Sequence, residues 1–147
     1  MKKPLIAIAL VVCFSLYVMA QTKPKTKSAA SSSGLSASMT RGKLIYTQYC
    51  LSCHFVDGGG VPNMNPPLIK TTYVTGDKTR LIKVVLNGFA QSVDIDGQSY
   101  SNNMAPHDFL KDQEIADVLT YVRNSFGNKG TAIKVTEVKT ARANNKK

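Results

Sequence analysis

Cysteine is scarce in this 147-residue chain, with three in all; tryptophan is absent, and acidic residues number nine against 19 Lys and Arg. Three cysteines are too few for the dense disulfide framework of a small secreted scaffold. No internal repeat and no collagen-like glycine period occur, which removes solenoid and fibrous architectures. Apart from one N-terminal stretch there is no long hydrophobic run, so a multi-span membrane protein is excluded too. What is present is ordinary: 43% hydrophobic and 19% charged residues, enough to fold and short enough for one domain. The shortage of acid leaves a net charge of +10. Such an excess points to nucleic acid or an anionic surface only when the charge lies on the folded surface.

The chain starts Met1-Lys2-Lys3-Pro4, runs apolar from Leu5 to Met19 and reaches Val18-Met19-Ala20 before Gln21. A basic start, an apolar core and permissive residues before the cut predict a signal peptide over 1–20, cleaved after Ala20, and hence a periplasmic protein. A retained membrane anchor is the alternative, but fifteen helical residues span roughly 22 Å against a hydrocarbon core of roughly 30 Å. Association with the membrane is expected only if this segment stays. A lipoprotein signal at Cys13 would want a small residue where Val12 stands. Residues 21–39, made of Lys, Thr, Ser, Ala, Pro and Gly with little to bury, predict a flexible linker or tail.

Three helices are expected over 40–127. Thr40 can cap the first, through Gly42, Leu44, Ile45 and Tyr46 toward Cys50. Asp77 opens the second, with Leu81, Ile82, Val85 and Leu86 at helical spacing and Asn87-Gly88 as its stop. Asp112 begins the third, with Ile115, Val118, Leu119 and Val122 on one face and Gly127 past its end. Between them lie a Gly/Pro/Asn loop over 58–67 and a short extended stretch, Val93 to Ile95, entering an Asp96-Gly97 turn. Residues 128–147 read as a basic C-terminal extension. A domain this small with loops this long needs something else to fill its interior.

Cys50-Leu51-Ser52-Cys53-His54 supplies the candidate. C-x-x-C-H is the signature of covalent c-type haem attachment, because thiols three positions apart on a helical turn can each add to one vinyl group of a single porphyrin, with the histidine beneath the iron. A thioredoxin-like pair would need a βαβ setting that this chain lacks. A zinc site would need a fourth ligand, and His107 is the only other histidine.

With His54 on one face of the iron, the other ligand must come from Met39, Met64, Met104 or His107. Met39 falls in the expected linker. Met64 follows His54 by only ten residues, too few for an easy wrap to the opposite face. Met104 lies in a polar loop, Ser101-Asn102-Asn103-Met104-Ala105-Pro106, with no apolar cluster for it to fill. It is the favoured second ligand, and His107 is the alternative.

These residues together resemble the small monohaem c-type cytochromes of bacteria, an all-α family whose helices and long loops wrap one haem held by His and Met. The resemblance covers Thr40 to about Gly127. Gly42 and Tyr46 are similar to the glycine and aromatic pair at the family's crossing of N- and C-terminal helices, and Val118 and Tyr121 to the positions met there. Pro66-Pro67-Leu68 is similar to the family's P-x-L element, which implies that the Pro66 carbonyl accepts the Nδ1 proton of His54 and strengthens it as a ligand. Tyr100 before Met104 and the run from Ile115 to Gly127 look like the cytochrome domains that serve periplasmic dehydrogenases, reductases and oxidases. Phe126 stands where many relatives carry Trp, and Ala105 where Pro is commoner.

An iron ligated on both faces offers no site to a substrate, so the implied activity is one-electron transfer to or from a partner redox enzyme, with thioether ligation favouring the ferrous state. If Met104 does not coordinate, an open iron position would instead make a small-molecule sensor or enzyme. A third reading makes the haem structural and the basic tails the binding element. The charge count bears on this: residues 40–127 hold eight basic and eight acidic residues, whereas 128–147 hold six Lys/Arg against Glu137. The sequence thus assigns the excess to the tails and withdraws the main support for a folded nucleic-acid face.

Overall fold

In the computed structural model, residues 29–145 are described, with side chains from Ser33 onward. The expected signal segment, Cys13 and residues 21–28 lie outside the described residues. Six helices and one small hairpin follow in the order α1 (Ala29–Tyr49), α2 (Leu51–His54), α3 (Thr72–Thr75), α4 (Lys78–Asn87), β1 (Val93–Ile95), β2 (Gln98–Tyr100), α5 (Asp112–Asn124) and α6 (Val135–Ala143). The three expected helices are α1, α4 and α5. Among the described residues no helix is long and apolar enough to cross a membrane.

Two boundaries differ from expectation. Helix α1 starts at Ala29 rather than at Thr40, so the expected linker is helical from 29 onward. Thr40 is not a cap: its hydroxyl lies inside the helix and donates back to the Ser36 carbonyl at 3.1 Å. No proline or β-branched residue interrupts 29–39, and the segment gains a tertiary anchor. Ser38 Oγ donates to Asp117 Oδ1 at 2.6 Å, and Arg41 pairs with the same buried carboxylate at 2.6 and 2.8 Å.

The C-terminal segment is likewise not a tail. Its helix α6 buries Val138 and Ala141, and Ile133 just before it is buried as well. Apolar residues at 133, 138 and 141 look scattered in sequence, but all three join the one core built from Leu81, Ile82, Val85 and Leu86 of α4 and Ile115, Val118, Leu119 and Val122 of α5. Lys78 of α4 holds the segment from its far side, with Nζ 2.7 Å from the Ala132 carbonyl and 3.1 Å from Glu137 Oε1.

The remaining starts and stops follow local chemistry. Asp77 caps α4 by accepting from the Arg80 N–H at 2.6 Å, and Gly88 ends it at φ 71°. Glu114 and Glu137 reach back to the N–H groups of Lys111 and Lys134 at the starts of α5 and α6. The Asp-Gly turn closes an antiparallel pair with Val93 opposite Tyr100 and Ile95 opposite Gln98. Asp96 and Gly97 both take positive φ, as a two-residue hairpin turn requires.

Where α1 crosses α5, Gly42 lies against the chain of its partner. A Cβ there would fall 2.1 Å from the Asp117 carbonyl oxygen and 2.8 Å from the Tyr121 Cβ. One turn on, Tyr46 is buried between Tyr121 and Phe126, each ring centroid 5.4 Å away, and its hydroxyl donates to the Phe55 carbonyl at 2.6 Å.

Candidate functional site

The end of α1 delivers the Cys50–His54 segment onto this crossing. The Cys50 N–H still bonds to the Tyr46 carbonyl at 2.9 Å, after which the backbone breaks and restarts as the single turn α2, closed by Phe55 at φ 58°. Cys50 is half-buried and Cys53 exposed, both as free thiols. Burial first, and the neighbouring Cys53 second, push the Cys50 thiol up to about 11.

His54 is held by the loop that follows. Its Nδ1 lies 3.1 Å from the Pro66 carbonyl, to which it donates as the Nδ1–H tautomer. That leaves the Nε2 lone pair free for a metal. Burial lowers the pKa of the ring; the Pro66 bond opposes this and the charge of His107 adds to it, so the net effect favours the neutral form that a metal ligand needs.

Gly60 makes the Pro66 contact possible. It sits at φ 65°, and a Cβ there would come within 2.3 Å of the Asn65 carbonyl oxygen and 2.8 Å of that of Pro66. The loop closes on itself through Val61 N–H to Asn65 carbonyl at 2.8 Å and Leu68 N–H to Gly58 carbonyl at 2.7 Å.

Met104 is held in a different manner. It forms a two-bond bridge with Phe89, Phe89 N–H to Met104 carbonyl at 2.9 Å and Met104 N–H to Phe89 carbonyl at 2.8 Å, and its half-buried side chain packs on the core. Gly88 allows this approach, since a Cβ would lie 2.2 Å from the Met104 oxygen. The two loops are tied to each other. Ser101 N–H bonds to the Asn63 carbonyl at 3.2 Å, Asn102 N–H to the Met64 carbonyl at 3.1 Å, and the Asn102 side chain to that of Asn65 at 2.9 Å. The loop that orients His54 is thus joined to the one that carries Met104.

The other candidates fare differently. Met64 serves this tie through its carbonyl and leaves its side chain 48% exposed. Met39 lies half-buried in α1. His107 bonds through its N–H to the Val85 carbonyl at 2.8 Å and stacks among Tyr49 and Phe109, with its buried Nδ1 lacking a hydrogen-bond partner among the described residues. No group of three or more His, Cys, Asp or Glu converges among the described residues, as a zinc centre of those ligands would require.

Residues 39–126 match the family model described as Cytochrome c. The chain belongs to the cytochrome c family. It is 34% identical over 99 residues to cytochrome c-552 of Thermus thermophilus, a match covering 65% of this chain and 66% of that protein. It is 36% identical over 120 residues to the cytochrome c subunit of the quinone alcohol dehydrogenase of Gluconacetobacter polyoxogenes, covering 73% of this chain but 24% of that one. The chain therefore spans a little under two thirds of the first relative and about a quarter of the second.

The cytochrome c family consists of electron carriers with covalently attached haem c, one per domain, and the match places residues 39–126 of this chain among them. The residues present fit that group: two free thiols at C-x-x-C spacing, a neutral imidazole with its outer nitrogen engaged, and a half-buried thioether on a loop tied to the imidazole's own. Sequence reasoning saw Gly60 and Gly88 as turn formers only. Their closeness to the Pro66 and Met104 carbonyls is a meeting of distant backbones, and local sequence carries no signal for it.

Proposed function

We propose that this cytochrome c is a periplasmic one-electron carrier in which Cys50 and Cys53 would hold the haem by thioether bonds and His54 and Met104 would supply its two iron ligands. The bond of Pro66 to His54, in a loop tied through Asn65 and Asn102 to the Met104 segment, is the observation that carries this reading. Haem bound here supplies the one-electron reactivity. The chain's own part is to keep His54 neutral and oriented and to present the Met104 sulfur as a second ligand. The export-like segment over 1–20 supports the periplasm. A subunit of quinone alcohol dehydrogenase among its relatives supports a partner of the dehydrogenase, reductase or terminal oxidase kind.

Absorption spectra of the exported protein in both oxidation states, with its mass, test this. A mass of one haem per chain, a far-red sulfur-to-iron band in the ferric form and no carbon monoxide binding by the reduced form are expected. Met104→Ala should lose the band and gain carbon monoxide binding. A wild-type protein that already lacks the band and binds carbon monoxide would replace the carrier by a sensor or enzyme with an open iron site.

A further inference from the structure

The C-terminal segment lies beyond the residues that match the family model, and yet its ties fall on both flanks of the Met104 bridge. On the upstream side Asn145 and Asn87 exchange two amide bonds, Asn87 Nδ2 to Asn145 Oδ1 at 3.0 Å and Asn145 Nδ2 to Asn87 Oδ1 at 2.7 Å. Asn87 stands two residues before Phe89. On the downstream side Arg142 of α6 donates from all three of its guanidinium nitrogens: Nη1 to the Asp108 carbonyl at 2.9 Å, Nη2 to the Leu110 carbonyl at 2.7 Å and Nε to Asp112 Oδ1 at 2.7 Å.

The chain between these points is largely exposed. Residues 101–109 are exposed except for Met104 and His107, which are half-buried. Beyond the Phe89 bridge and the tie of Ser101 and Asn102 to the 63–65 loop, the segment is fixed chiefly by His107 N–H to the Val85 carbonyl at 2.8 Å and by the Tyr49 ring against those of His107 and Phe109, at 6.4 and 5.4 Å. A segment with few buried apolar contacts and an exposed backbone opens at low free energy, and a planar charged fork on two of its carbonyls opposes that opening.

We propose that Arg142 and Asn145 are positioning residues for the methionine ligand, making the C-terminal helix a brace that sets how readily Met104 leaves the iron. The proposal rests on the reading of Met104 as ligand. It differs from a general role in stability because the contacts converge on the two chains that form the Met104 bridge. Lys78 also anchors this segment, but at Ala132 and Glu137, away from the bridge.

The test uses the haem-loaded, full-length protein with Arg142→Ala, Arg142→Lys, Asn145→Ala and, for comparison, Lys78→Ala. Residue-resolved hydrogen exchange reads the Phe89 and Met104 amides, and titration of the ferric form with imidazole reads displacement of the native ligand. In Arg142→Ala both amides should exchange about tenfold faster or more, and imidazole should bind tighter by a similar factor, while the Cys50 amide is unchanged. Arg142→Lys should fall between, Asn145→Ala should move the same way by less, and Lys78→Ala should lower the melting temperature without moving either readout. Unchanged exchange and imidazole affinity in Arg142→Ala, or equal changes in Lys78→Ala, would overturn the brace. Should Arg142→Ala not fold, Asn145→Ala decides by the same criteria. If the wild type shows no far-red band, the ligand assignment fails, and exchange at the two amides still decides whether the brace exists.

Discussion

At Gly42 two opposing effects of one methyl group can be compared. Alanine in a helix interior is favoured over glycine by up to about 1 kcal/mol. Here the added Cβ would sit 2.1 Å from the Asp117 carbonyl oxygen, a rigid backbone atom, and forcing two helices apart costs about 1–3 kcal/mol or more. The clash wins. Gly42→Ala should lower stability by about 2 kcal/mol, read as an earlier thermal transition, and a variant as stable as the wild type would mean that the helices separate easily. Single residues were also the most legible part of the sequence where chemistry imposes a local pattern. Cys50, Cys53 and His54 stand out because the proposed attachment of one porphyrin would demand them within five residues. Pro66 became visible only by family resemblance, since nothing in its own neighbourhood announces the imidazole twelve residues upstream.

Among the elements, α1 shows how a helix gains about three turns that its own sequence does not advertise. Burial alone would raise the Asp117 carboxyl, but the bonds from Arg41, Ser38 and Gln113 and the Arg41 charge outweigh it and hold the group below the usual carboxylate range. A carboxyl depressed on folding stabilises fully above its unfolded value near 3.9, and this stabilisation drains away as pH falls through the lower folded value. Thermal unfolding followed downward from about pH 6 should therefore show a steep acid-side loss that Asp117→Asn flattens while reducing stability at neutral pH. Equal acid slopes in the two proteins would place the titration elsewhere. The helix starts that were legible, Asp77 and Asp112, precede apolar residues at helical spacing. Thr40 misled because a hydroxyl inside a helix can satisfy itself on the carbonyl four residues back, so the same residue type suits both a start and an interior.

For the whole molecule, the charge arithmetic stands and its location changes. Residues 40–127 balance at eight and eight, and of the +5 of residues 128–147 the four basic residues and Glu137 within 128–145 belong to a segment that folds onto the core, with Lys129, Lys134 and Lys139 exposed on it. Three apolar residues separated by up to five positions gave too weak a pattern to predict burial, because α6 depends on a surface supplied by α4 and α5 rather than on its own periodicity. Truncation after Gly130 would strip Ile133, Val138 and Ala141 from that surface and should cost more than about 3 kcal/mol in urea unfolding. Removing this segment is accordingly a poor way to probe docking charge, and exchanging Lys129 and Lys139 for Gln is the cleaner one.

The buried Arg123 of α5 belongs with this picture. Its guanidinium donates to the carbonyls of Val74, Thr75, Gly76 and Thr131, and only 3% of the residue is exposed. Burial lowers its pKa and nearby Glu137 raises it, but an arginine stays protonated through any pH at which the protein functions. Surface lysines are muted by dissolved ions within about 8 Å at physiological salt, whereas a charge in the interior is screened much less. The domain thus carries an interior positive charge that added salt mutes far less than its outer lysines, so a change in ionic strength acts chiefly on the outer charges.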